Sequence, residues 1–286
     1  MSTASSMSTR RRVLIAGCGD VGCALGTRLA AAGDEVWGLR RNVAALPASI
    51  RPLAGDLTTT LPRLPAVDIV VFAAAASERS DEGYRRTYVD GLRRLLDRLE
   101  QDGQQPRRVL FTSSTGVYGQ DDGSWVDEDS PTEPEAFTGR RMLEAEACLD
   151  DRPWPTVAVR FGGIYGPGRT RMIRRLREDP HVPHSPPVWT NRIHRDDCAA
   201  VLAHLIAVPT VSRVVVAVDD EPASRWHVAS WLRRRLDLEP PIPVDRPPSG
   251  AGQNKRCRNT RLKATGYSFL YPSFRDGYAT ILDKLE

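Results

Sequence analysis

Gly17-Cys18-Gly19-Asp20-Val21-Gly22 stands directly after an apolar run at 13–17 and directly before an Ala/Leu-rich stretch. Alone a G-x-G-x-x-G says little, and what constrains the fold is the motif together with its flanks. Between a strand and a helix, the first glycine permits a tight turn, the second lets backbone approach a pyrophosphate, and the third lets helix and strand pack closely. The helix N-terminus then offers unpaired N–H groups to phosphate oxygens. Gly17, Gly19, Asp20, Val21 and Gly22 are therefore expected to form a dinucleotide site if the flanking segments are a strand and a helix.

The neighbouring segments meet that condition. Apolar runs at 13–17, 35–40, 68–74 and 108–114, with a shorter one around Ile50 to Leu53, alternate with helical patterns at 21–32 and 84–99. In the second pattern Tyr84, Tyr88, Leu92, Leu95, Leu96 and Leu99 recur near helical spacing with arginines between, which predicts a core face and a wet face. Two more buried strands are expected at 156–163 and 212–220, with a helix at 196–208 before the second. This alternation argues for an α/β fold with a doubly wound parallel sheet of the Rossmann type. From about Gly166 prolines concentrate, at 180–187 and 239–248, and these segments read as rigid loops. The expected organisation is a mobile tail at 1–12, a dinucleotide-binding domain at 13–165 and a smaller C-terminal substrate lobe at 166–286, the strand near 212–220 returning to the main sheet.

Charge and composition narrow the function classes. Forty Lys+Arg against 36 Asp+Glu leave +4 over 286 residues, too dispersed a surplus for a nucleic-acid-binding face. No stretch reaches the roughly 18 apolar residues of a membrane span, and the polar opening lacks the apolar centre of a secretory signal. Five cysteines, odd in number and in no CxxC pair, point to a reducing compartment, so the expected location is cytoplasmic. His181 and His184 flank Pro183 without a third ligand, and no metal site is expected.

All but three of the 40 cations are arginines, and two of them, Arg40 and Arg41, end the strand at 35–40. A carboxylate at that place would hold a ribose 2′-hydroxyl. Asp34 and Glu35 come too early to do so. Guanidinium groups offer charged, forked donors that suit a 2′-phosphate, so NADP is favoured over NAD.

At Phe111-Thr112-Ser113-Ser114-Thr115-Gly116-Val117-Tyr118-Gly119 the chain resembles the extended short-chain dehydrogenase/reductase superfamily, which includes sugar-nucleotide epimerases and dehydratases. Gly55-Asp56-Leu57 resembles its acidic turn that contacts adenine. The segment from Arg160 through Phe161, Gly162 and Tyr165 to Gly168 resembles its R-x-x-x-x-Y-G-P-G, where backbone approaches the nicotinamide. Asn191 to Asp197 resembles its N-x-x-H-x-D-D turn. Ala73 and Ala74, which end the run at 68–74, are assigned to the cofactor site with Asp56, Leu57, Phe161 and Gly162. The C-terminal Asn254-Lys255-Arg256, Asn259, Arg261-Leu262-Lys263, Gly266 and Tyr271-Pro272 resemble a narrower, atypical bacterial branch, the YeeZ-like proteins, whose substrates are generally unassigned.

The resemblance implies a Ser/Thr, a Tyr and a Lys as the acting groups, the last two as Y-x-x-x-K. Four residues before Tyr118, Ser114 takes the serine position. The Tyr and Lys positions are occupied by Thr138 and Met142, and no lysine precedes residue 255. Tyrosine acts near neutral pH only when a cation favours its phenolate, and neither threonine nor methionine can replace that pair. One reading is an oxidoreductase or epimerase with a substituted acid/base, Tyr118, Tyr165 or a substrate group, partnered by Arg140 or Arg141. A second is a non-catalytic dinucleotide-binding sensor, and a third an empty scaffold. Arg169, in the arginine run at 169–177, and Lys255 and Arg256 are candidates to meet an anionic, small-molecule substrate. His194 is expected to position its loop. Relatives in the superfamily dimerise through a helix pair, here 84–99 and 139–149, so a homodimer is expected.

Overall fold

The computed structural model describes residues 10–245 and 254–284. The expected mobile tail falls on 1–12, of which 1–9 lie outside the described residues, as do positions 246–248 of the second proline run.

Seven strands form one sheet: β1 (Arg12–Ala16), β2 (Glu35–Arg40), β3 (Arg51–Ala54), β4 (Ile69–Phe72), β5 (Arg108–Ser114), β6 (Thr156–Phe161) and β7 (Val214–Ala217). Their order is β7-β6-β5-β4-β1-β2-β3, and every pairing is parallel. The chain winds outward from β1 through β2 to β3, then crosses back to β4 and continues to the other edge. The switch point lies between β1 and β4, where parallel sheets open a crevice at the strands' carboxyl ends.

The central strands are continuous apolar runs because both faces are covered, as a parallel sheet requires. Val13, Leu14, Ile15 and Ala16 of β1 are all fully buried. On one face α1 (Asp20–Ala31) and α6 (Arg195–Ala207) bring Leu25, Leu29, Val201 and Leu205 against Val13, Ile15 and Val71. On the other, α3 (Gly91–Gln101) and α4 (Phe137–Ala147) bring Leu92, Leu95, Leu96, Leu99 and Ala145 against Val70, Phe72 and Phe111. A separate core joins α5 (Arg171–Glu178), α7 (Arg225–Arg235) and α9 (Phe274–Leu282) through Ile173, Leu176, Val228, Leu232, Phe274 and Tyr278.

Two local features depart from the sequence-based expectation. The segments read as rigid loops contain a two-stranded parallel ribbon, His181–Ser185 against Ile242–Asp245. Prolines 183 and 243 are tolerated there because each strand has one edge that needs no donor. The helix expected at 84–99 starts earlier, as α2 (Asp81–Tyr84), and passes through a π-helical turn (Arg85–Asp90) before α3. A π-turn delays the backbone by one residue, so side chains before it do not share the face of those after it.

Candidate functional site

The three glycines of the turn have three different surroundings. At Gly17 φ is +78°, and a Cβ would stand 2.3 Å from Ala74 Cα, so the ends of β1 and β4 approach too closely for any side chain. At Gly22 a Cβ would come to 3.0 Å from Ile15 Cγ2, where α1 packs on β1. At Gly19 the nearest atom would be Gly17 O at 3.9 Å, leaving the backbone open to the crevice. The amides of Gly17 and Cys18 both donate to Leu39 O, at 2.9 and 3.1 Å, which ties the turn to the end of β2. No side chain caps α1, so its first-turn N–H groups have no side-chain acceptor within the helix terminus.

A cleft of ≈ 770 Å³ runs from this turn across the strand ends. Of the residues assigned to the cofactor, Gly17, Gly19, Asp20, Val21, Arg40, Arg41, Asp56, Leu57, Ala73, Ala74, Phe161 and Gly162 all line it. Gly22 does not, because it faces the strand beneath. A dinucleotide fits this surface on the ground already given: the one turn position where a Cβ would project into open space is a glycine.

The charges along the cleft are arranged in pairs. Asp20, in the first turn of α1, is bridged by Arg169 at 2.9 Å and Arg195 at 2.7 Å, which neutralises a carboxylate beside the turn. Arg169 therefore reaches the cleft lip, but with an acidic partner. Arg40 Nη1 donates to Cys18 O at 3.1 Å and so braces the turn, while Arg41 is exposed at the rim. The Thr58 amide and hydroxyl, at 2.8 and 2.7 Å, hold the Asp56 carboxyl below its usual range, assisted by Arg41 and Arg86.

At the other end the wall is made by Ser114, Thr138, Met142, Phe161, Gly162 and Ile164. Ser114 Oγ accepts the Gly116 amide at 3.0 Å. Thr138 and Met142 are one turn apart on α4 and share its cleft face. Beneath Ser114, Ser113 Oγ donates to Glu146 at 2.5 Å, and Arg160 grips the same carboxylate at 3.0 and 2.7 Å while donating to Tyr118 Oη at 2.9 Å.

Several expected site residues lie elsewhere. Tyr118 is fully buried under the floor, and burial pushes its phenol to about 12 despite Arg160. Tyr165 is buried in the smaller lobe, stacked on Tyr278 at 4.6 Å with its hydroxyl donating to Ser273 O at 3.3 Å; burial raises its pKa. Neither lines the cleft, so neither phenol is placed to exchange a proton there. Lys255 is 2% exposed, its Nζ donating to Tyr118 O at 2.8 Å. Arg256 lies 4.9 Å from the rings of both Trp125 and Trp189, with Nε donating to Gly123 O at 2.8 Å. These two cations clamp the C-terminal segment to the loop after Tyr118 and do not reach the cleft. His194 caps α6, its Nδ1 accepting the Asp196 amide at 3.2 Å, and burial lowers its pKa. Among the described residues no three His, Cys, Asp or Glu side chains gather as metal ligands.

The cleft also contains residues that periodicity assigned to the core or passed over: Arg79, Tyr84, Thr87, Tyr88 and Thr112. Tyr88 Oη accepts the Ala76 amide at 3.3 Å, and burial raises its pKa. No sequence signal singles out Tyr84 or Tyr88, which sit just before and within the π-turn.

A doubly wound parallel sheet with a glycine turn at its switch point, opening onto a cleft floored by Ser114, defines a Rossmann-type protein. The chain belongs to the NAD dependent epimerase/dehydratase family, whose model matches residues 13–216. Protein YeeZ of Escherichia coli (strain K12) is 26% identical over 276 residues, covering 92% of this chain and 97% of YeeZ. A 3-diazoavenalumate denitrifying reductase of Streptomyces sp. is 28% identical over 306 residues, covering 93% and 98%. A solved structure from Methylobacillus flagellatus, assigned to the NAD-dependent epimerases/dehydratases, is 40% identical with a TM-score of 0.78, covering 96% of this chain and 98% of that one.

Proposed function

We propose that this protein is an NAD(P)-dependent oxidoreductase of the epimerase/dehydratase type that prefers NADP and acts on a small polar substrate without a Tyr-x-x-x-Lys pair. The observation that carries this reading is the cleft itself, in which the open Gly19 backbone and the uncapped start of α1 meet Arg40 and Arg41 at one end and Ser114 at the other. The bound dinucleotide supplies or accepts a hydride. The chain's own groups bind and orient: α1's first-turn amides receive the diphosphate, Arg41 meets a 2′-phosphate, and Arg40 holds the turn through Cys18 O. Ser114 Oγ accepts from Gly116 and keeps its own proton to donate to a substrate oxygen. Residues 13–165 serve the cofactor, and the region from 166 onward supplies the substrate side, with Arg169 at the cleft lip and Arg169 and Arg195 joining the two through Asp20.

The Streptomyces relative is named a reductase, which supports reduction as the direction to test first. Two copies are proposed to associate through α3 and α4. The five unpaired cysteines, four of them buried, support a reducing, cytoplasmic location. No helix among the described residues is long and apolar enough to cross a membrane.

A second reading, a dinucleotide sensor without turnover, draws on Thr138 and Met142 at the Tyr and Lys positions. Titration with NADPH and NADH, followed by a screen for reduced-cofactor consumption on carbonyl, imine and sugar-nucleotide panels, separates the two. Tighter NADPH binding with consumption supports the enzyme, and binding with none on any panel supports the sensor. Tighter NADH binding removes the role given to Arg41.

A further inference from the structure

We propose that Tyr84 is the proton donor and acceptor of the cleft, taking over from α2, packed beside α4, the task that Thr138 and Met142 cannot perform. The assignment rests on the NAD(P)-dependent reading above. Only two of the described tyrosines line the cleft, Tyr84 and Tyr88. Tyr118, Tyr165, Tyr267 and Tyr278 are buried in the cores, and Tyr271 lies 3.9 Å from the His194 ring, outside the cleft. Tyr88 is mostly withdrawn, its oxygen taken by the Ala76 amide. Tyr84 is only partly buried, and among the described residues no hydrogen bond engages its hydroxyl.

The position of Tyr84 is set from α4. Its ring stands edge-on to Phe137, centroids 5.5 Å apart at 86°, next to the residue that replaces the usual tyrosine. Threonine is much the smaller side chain, so the space beside Phe137 is open to a phenol entering from α2. Arg141 bonds both oxygens of Asp81, at 2.8 and 2.9 Å, and so fastens α2 to α4 three residues from Tyr84 and three from Thr138. Ser80 caps α2 through the Gly83 amide at 3.0 Å. The π-turn follows at once, and such turns recur at functional sites.

The charged groups around Tyr84 are largely matched. Asp81 is paired with Arg141, Glu82 with Arg85, and Arg79 stands on the same wall, with the Tyr88 ring 5.1 Å away. A cation beside a phenol favours its phenolate, and an oxidised nicotinamide bound in the cleft would provide one. In carbonyl reduction the Tyr84 O–H bond breaks and its proton forms the O–H bond of the product alcohol. The hydride lost by the reduced dinucleotide forms the new C–H bond, and the phenolate regains a proton from water. Oxidation runs the same transfers in reverse.

The test compares full-length wild type, Y84F and Y88F. The first readout is tyrosinate absorbance at 295 nm on saturation with NADP⁺ at about pH 9, where a cationic ring should raise the phenolate fraction. A rise is expected in wild type and Y88F and none in Y84F. The second is NADPH oxidation by the probe 9,10-phenanthrenequinone: Y84F should lose on the order of 100-fold in kcat with KM kept, a magnitude typical of acid/base removal. Arg141→Met, which loosens α2 but keeps the phenol, should lower kcat by up to the ~100-fold that a misplaced acid can cost, with the tyrosinate rise retained. Dinucleotide binding with no tyrosinate rise in wild type, or a rise and quinone turnover undiminished in Y84F, overturns the assignment. Failure of wild type to bind either dinucleotide instead removes the NADP reading beneath it.

Discussion

Gly19→Ala and Gly17→Ala change one hydrogen to a methyl two residues apart, and they should fail in opposite ways. At Gly19, φ is −92°, outside the left-handed region, and the new Cβ would meet nothing closer than 3.9 Å. Folding should be little changed, within about 0.5 kcal/mol. For a chain of this size that is a shift of under about 2 °C in Tm. The methyl would stand where a diphosphate approaches, and displacing it by one contact should weaken NADPH at least ~10-fold, or about 1.4 kcal/mol. At Gly17 the same methyl would sit 2.3 Å from Ala74 Cα on a backbone with φ of +78°. The left-handed conformation alone costs about 1–2 kcal/mol, and the overlap with backbone adds to it, so Tm should fall by several degrees. Differential scanning fluorimetry gives both melting shifts, and NADPH titration by fluorescence gives the affinities. Wild-type NADPH affinity in a well-folded Gly19→Ala protein would refute the role assigned to the turn.

Arg41→Ala should weaken NADP about 10- to 100-fold, the value of a charged hydrogen bond to phosphate, and leave NAD within about twofold; equal losses for both, by calorimetry, would contradict the 2′-phosphate role. Arg160→Met strands the nearly buried Glu146 carboxylate and should cost about 3–5 kcal/mol in urea unfolding, a loss under about 1 kcal/mol being the contrary result. Lys255 gives a pH signature. Burial holds its ammonium down to about 8 from an ordinary 10.5, so between those values the unfolded chain keeps a proton that the folded protein has released. Stability relative to Lys255→Met should therefore rise with pH from about 8, by up to ~1.4 kcal/mol per unit, and stay flat below. Urea unfolding of both proteins at pH 7, 8 and 9.5 measures it, and a difference unchanged across the three would be the opposite finding.

Much of this was legible because local pattern and tertiary role coincide. β2 and β5 have the bounds their apolar runs imply, Glu35–Arg40 and Arg108–Ser114, since a strand covered on both faces has little else to be. Gly17, Gly19 and Gly22 could be read together because each spacing answers a separate steric demand. The cleft's second wall was not legible. Tyr84 and Tyr88 fit a 3.6-residue period with Leu92, and no sequence rule announced the π-turn that brings both to the cleft, Tyr88 while still packed against the core. Tyr118 and Tyr165 lie in motifs whose spacing identifies strand ends but not the side on which a phenol emerges. Lys255 stood out for its rarity, and rarity does not report burial. The ribbon at 181–185 and 242–245 depends on a partner some 60 residues away, which reading for local turn chemistry cannot supply.

The most direct measurement is a crystal structure grown at saturating NADPH. It should place the diphosphate on the amides at the start of α1 above Gly19, the 2′-phosphate at Arg41 and the nicotinamide between Ser114 and Thr138. An empty cleft, or a dinucleotide bound elsewhere on the protein, would contradict the account.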